Sequence, residues 1–124
     1  MLRLVLRAQA VYYFVTGAWP LVSMRTFEIV TGPKTDEWLV RTVGLLTLSI
    51  AAALWVGARR RDDAARPPVE IVVLAALSAA SFAAIDIHYS LAGRILPVYL
   101  GDAGVELALL AAVAAASYQR RRDA

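Results

Sequence analysis

Apolar positions gather in four long stretches, residues 4–22, 38–58, 69–89 and about 98–118, with short polar segments between them. A membrane-crossing helix needs ~20 mainly apolar residues at about 1.5 Å each. The first stretch carries Arg7 near its start and is expected to stop at Trp19-Pro20; the second ends in Arg59, Arg60 and Arg61. The third follows Pro67-Pro68, and proline is well tolerated in a first helical turn. The last is the weakest, because Gly101, Asp102, Gly104 and Glu106 occupy its first half. Starting it at Asp102 leaves an apolar part of only 12 residues, Leu107 to Tyr118, which must be short, tilted or screened by neighbours. Between the first two stretches, Met24, Phe27 and Val30 recur at spacings of three among Arg25 and Glu28, and Gly32-Pro33 follows. That pattern predicts a short interfacial helix. The expected fold is all-α: a single-domain four-transmembrane-helix bundle over residues 1–124, with a short interfacial helix between helices 1 and 2.

Composition points the same way. Of the 124 residues, 60% are hydrophobic and the mean hydropathy is +0.59, against roughly 45–50% apolar residues in soluble domains. The net charge of +3 comes from arginines set beside apolar runs without interleaved stacking aromatics, which argues against nucleic acid as a partner. The absence of cysteine excludes disulfides and thiolate metal sites. Arg3 and Arg7 before an apolar run imitate a signal peptide, but no A-x-A-like cleavage site follows, so residues 1–22 are read as a retained span.

The cations set an orientation. Arg3, Arg7, Arg59, Arg60, Arg61, Arg66, Arg120, Arg121 and Arg122 fall on one side, and Arg25, Lys34, Arg41 and Arg94 on the other. By the positive-inside rule both termini and the 59–68 loop are cytoplasmic. Trp19 and Trp38 then mark the outer interface, Trp55 and Tyr118 the inner one. Small exporters that insert in both orientations need a nearly balanced distribution, which this is not.

With that orientation, Arg41, Asp86 and Glu106 all fall in the outer part of the spans, beside His88, Arg94 and Asp102. An unpaired charge in hydrocarbon costs about 2.5 to 3.5 kcal/mol on insertion scales, so such groups are expected to face one another. Arg41 is expected to pair with Asp86 or Glu106, and these three, with His88, Tyr12 and Tyr13, to line a polar cavity open to the outer face. The same groups also serve a purely structural reading, because helices in lipid are held together by polar contacts and close packing. Asp36 and Glu37 read as first-turn acids after a Thr35 cap, and Asp102 as the cap of the last helix. Residues two apart on a helix diverge by about 200°, so Asp86 and His88 do not share a metal centre. His88 shares a face instead with Ser81 and nearly with Ser78, a stripe suited to interhelical hydrogen bonds. No metal or cofactor is expected. Ala76, Ala80 and Ala84, and Ala108, Ala112 and Ala116, recur every fourth position and predict close helix packing. Gly44 leaves space beside Arg41, and Lys34 has no assignable role.

The string WPLVSMRTFEIVTGPKTDEWLVRTVG, residues 19–44, resembles a family of small bacterial integral membrane proteins in which a Trp-Pro after the first helix precedes a VTGPKTD-Trp segment. More distantly, four short helices with an arginine entering the second are similar to DoxX-like membrane proteins. The resemblance implies a bacterial inner-membrane four-helix bundle and carries no catalytic residue.

The expected function is therefore that of a non-enzymatic membrane protein. It binds a small molecule or lipid in an outward-facing pocket, or serves as a membrane partner subunit or homo-oligomer. The alternative is a membrane enzyme acting on a lipid-like substrate, with Asp86 or Glu106 as general acid or base. Ion permeation is disfavoured, because the inner halves of the third and fourth spans offer almost only Ala, Leu and Val.

Overall fold

The computed structural model describes residues 1–59 and 67–122; Arg60, Arg61 and Arg66, which enter the orientation argument, lie outside the described residues. Among the described residues all regular structure is helical, in the order α1 (Leu2–Val22), α2 (Met24–Thr31), α3 (Glu37–Arg59), α4 (Val69–Leu91) and α5 (Val98–Arg122).

The ends of these helices have local causes. Pro20 does not stop α1, which continues to Val22. A proline in the last turn removes only the bond to the Thr16 carbonyl, so the ladder survives to the Ser23 N–H, which reaches the Trp19 carbonyl at 2.9 Å. Ser23 also caps α2, its hydroxyl accepting from the Thr26 N–H at 3.4 Å. Gly32, at φ 97°, then turns the chain with its N–H on the Glu28 carbonyl. The α3 ladder begins from Asp36, whose carbonyl accepts from the Leu39 and Val40 N–H groups, and not from Thr35 as expected. At the end of α4 the Arg94 N–H bonds the Tyr89 carbonyl and the Gly93 N–H the Ser90 carbonyl, with Gly93 at φ 74°. That is a Schellman ending, and it fixes the tight return into α5.

The helices pack in two pairs, α1 along α3 and α4 along α5, with α1 also against α5 and α3 against α4. The α1 face that enters the core recurs at helical spacing through Leu2, Leu6, Gln9, Tyr13, Gly17 and Pro20. It meets Ala51, Leu54 and Ala58 of α3, Ala75 of α4, and Val113 and Ala116 of α5. Higher up, α1 and α3 cross at a glycine pair. A Cβ on Gly44 would sit 2.7 Å from the Gly17 carbonyl oxygen, and one on Gly17 2.9 Å from the Gly44 carbonyl oxygen. Gly44 thus accommodates a neighbouring backbone, not the Arg41 side chain.

The small-residue stripes run one position away from those expected. In α4 the buried face is Ala75, Ser78, Ala79, Ala83 and Asp86, while Ala84 is exposed; in α5 it is Ala103, Glu106, Val113 and Ala116. Of the expected alanines only Ala116 is fully buried. Every fourth position of both helices is small, so the sequence alone could not choose the row that faces the neighbour.

Among the described residues three helices are long and apolar enough to cross a membrane: α3, α4 and α5 over Val98–Gln119. Four were expected, and the weakest is the first rather than the last. α5 begins at Val98, four residues before Asp102, and so gains a full turn. α1 falls short in hydropathy because Arg3 and Arg7 lie in its first turns and its inward face carries Gln9, Tyr12, Tyr13 and Thr16. The exposed surface is apolar, including Leu45, Leu46, Leu77 and Ile85, while Gln9, Thr47, Asp86 and Glu106 are buried. An exterior more apolar than parts of the core is what hydrocarbon solvent selects, and the chain is a membrane-spanning helical protein.

Candidate functional site

At the α2 end the helices separate around a partly open cavity of 710 Å³, to which all five contribute. Its walls are mainly apolar: Trp19 and Phe27 near α2, Val40 and Val43 on α3, Phe82 and Ile85 on α4, Val98 and Val105 on α5. Its polar groups are few: the hydroxyls of Tyr12 and Tyr13, the carboxyls of Asp86, Asp102 and Glu106, Thr16, Thr31, Thr47 and Lys34. A volume within roughly 300–1,000 Å³, apolar walls and a handful of convergent polar groups describe a small-molecule site.

The carboxyls are set by α1. The Tyr13 hydroxyl donates to Glu106 Oε2 at 2.7 Å, and the Tyr12 hydroxyl donates to Asp102 Oδ1. Consecutive tyrosines fan across the α1 surface and reach α5 residues four apart, 102 and 106, which share a face. Tyr13 is itself held: Gln9 Nε2 donates to its oxygen at 3.2 Å and to the Ala75 carbonyl of α4 at 2.9 Å. A carbonyl can only accept, so it fixes which way the Gln9 amide faces. Phe82 meets the Tyr13 ring edge to face, centroids 5.4 Å apart. One relay therefore ties α4, α1 and α5 together beneath the cavity.

Asp86 differs. It is 5% exposed, and its Oδ2 has no hydrogen-bond partner among the described residues. An ionised carboxylate is an acceptor alone, so ionised Asp86 is a buried acceptor without a donor.

The structure thus brings together four of the six expected site residues, Tyr12, Tyr13, Asp86 and Glu106, and separates the other two. Arg41 pairs with neither acid. Its guanidinium lies 3.6 Å from Glu37 of its own helix, both side chains nearly half exposed, because position 41 falls on the outer face of α3. His88 is exposed and stacks edge to face on Tyr89, centroids 4.9 Å apart; Ser81 on the same face is also exposed, whereas Ser78 is buried. The divergence of Asp86 and His88 is as their spacing requires.

Three contributors were not foreseen. Asp102 sits in the second turn of α5, on the cavity rather than at the helix cap. Gln9 anchors the relay; its signal in the sequence is a lone amide one turn before Tyr13. Lys34 has a place after all: its ammonium donates to the Thr31 carbonyl at 3.0 Å and lies 5.1 Å from the centroid of the Tyr99 ring, at the cavity mouth between α2 and α5. Among the described residues no set of three His, Cys, Asp or Glu is arranged to hold a metal ion.

Comparison of the chain with protein-family models, with curated proteins and with solved structures finds no match. The function is therefore argued from the cavity.

Proposed function

We propose that the chain is a four-span inner-membrane protein with cytoplasmic termini, and that its cavity binds a small amphipathic molecule or lipid from the outer face. The observation that carries this is the convergence of two tyrosine hydroxyls and three carboxyls at one end of an apolar 710 Å³ cavity. Membrane helices associate without needing such a void, and the polar groups inside it exceed what bundle packing requires. α1 serves as the fourth span because its polar side faces α4 and α5, while Leu4, Val11, Phe14 and Val15 face outward. The likeness of residues 19–44 to small bacterial membrane proteins supports the inner-membrane location.

The chain has no cysteine, so topology is read from single-cysteine variants. Ser23→Cys is expected to react with an impermeant maleimide on intact cells, and Gln119→Cys only after lysis; the reverse result overturns the orientation. For binding, native mass spectrometry of the detergent-purified protein should show a lipid-sized adduct, diminished in Gly101→Leu, which fills the cavity. No adduct, together with no amphiphile that raises the thermal midpoint, would sink the proposal.

A second reading is favoured by one further observation, that Asp86 and Glu106 face the same cavity. A membrane enzyme with one of them as general acid or base needs two such groups near one substrate atom. It requires chemical conversion of the bound amphiphile by the wild type and none by Glu106→Gln, with the adduct retained.

A further inference from the structure

We infer that the occupant of the cavity is an organic cation, a protonated amine on an apolar body, with its ammonium set among Asp86, Asp102 and Glu106. This deepens the cavity reading and rests on it. Arg41 pairs with Glu37 on the exposed side of α3, and among the described residues no ion pair reaches the three acids. The cation that lines the cavity, Lys34, is committed at the mouth to the Thr31 carbonyl and the Tyr99 ring.

The second observation concerns Asp86 itself. Glu106 and Asp102 each accept a tyrosine O–H, whereas Asp86, which also lines the cavity, has its Oδ2 buried without a donor. The group that completes this cluster must donate hydrogen bonds, carry positive charge and fit between the carboxyls. A primary ammonium has three donors and no acceptor. The walls exclude a bare inorganic ion as the whole ligand, since Val43, Ile85 and Val105 offer it nothing, and no three-ligand metal arrangement is present among the described residues. They suit an alkyl or aryl body extending toward the opening. The Tyr12, Tyr13 and Phe82 rings, next to the carboxyls, add cation–π attraction.

The test uses the full chain in nanodiscs of neutral phosphatidylcholine, titrated calorimetrically with decylammonium, decanol and decanoate, which share one apolar body, with empty discs subtracted. Decylammonium is expected to bind at least about tenfold more tightly than decanol, and decanoate more weakly than both. Asp86→Asn, which keeps the shape, should reduce the decylammonium advantage to within about threefold. Glu106→Gln, which can still accept the Tyr13 hydrogen bond, gives the same reading should Asp86→Asn not fold. Decanol and decylammonium binding alike overturns the inference but leaves the cavity reading standing; that is also the result if the acids hold only a shared proton. None of the three binding above empty discs overturns both.

Discussion

Two glycine pairs divide this molecule. Gly17 and Gly44 sit where α1 and α3 touch backbone to backbone, and a methyl on either would lie under 3.0 Å from the other's carbonyl. Gly101 and Gly104, on α5, have nothing within 4 Å of where a Cβ would stand. One residue type thus marks both the tightest contact and open helix surface, where Gly101 also borders the cavity. The first pair is there to remove volume from a helix crossing, and Gly101 leaves volume unfilled beside the carboxyls. The contrast extends along the bundle. Away from α2, Leu6, Leu54 and Val113 close the core; toward α2, the same helices part around the cavity. Apolar packing is concentrated in one half and binding chemistry in the other, and the Gly17–Gly44 crossing lies on the cavity side, where Gly44 is part of the wall.

Substitutions can break or sharpen that contrast, each followed by denaturant unfolding in micelles. The largest effect is expected from Gly44→Ala, whose new methyl meets backbone that cannot move cheaply, at a cost on the order of 3 kcal/mol. Leu6→Ala in the packed half should lose about 2 kcal/mol. That is the low end of the soluble-core range, because a side chain leaving a membrane core enters lipid rather than water. Tyr13→Phe, which takes the donor from Glu106 and the acceptor from Gln9, is expected to cost about 1.5 kcal/mol. Gly101→Leu should do the opposite of Gly44→Ala, stabilising by up to about 1 kcal/mol through helix propensity while diminishing the bound adduct. Loss of stability there, comparable with that of Gly44→Ala, would erase the distinction between the two glycine pairs. Smallest of all, Arg41→Ala should change stability by less than about 0.5 kcal/mol, as half-exposed ion pairs do; a larger loss would show that Arg41 has a partner other than Glu37.

The short helix α2 owes its existence to residues within it and beside it, and so was legible. Ser23 caps it, Gly32 turns the chain out of it, and Met24, Phe27 and Val30 set its period. The α4 stop, expected at about 89, falls two residues later at Leu91, and its Schellman ending is not legible in the sequence although Gly93 signals it, because those bonds become visible only once the helix is known to reach Leu91. The site shows the same limit more sharply. Charges in apolar stretches gather toward the α2 end, where Asp86 and Glu106 both border the cavity. Arg41 does not join them, since its pairing depended on the rotation of α3 about its own axis. That rotation is set by the Gly17–Gly44 crossing, which turns position 44 inward and position 41, three residues earlier, to the side.

The order of residues by itself determined that this chain is helical, that helices of spanning length carry an apolar exterior, and that its acids would be forced together, because hydrocarbon tolerates neither unsatisfied backbone nor a solitary charge. Tertiary structure alone decided which acids meet which tyrosines, that Lys34 closes onto Tyr99, and that a void is left between them. Those outcomes depend on helix rotation and separation, which are fixed by contacts between residues far apart in the chain and leave no period in the sequence to read.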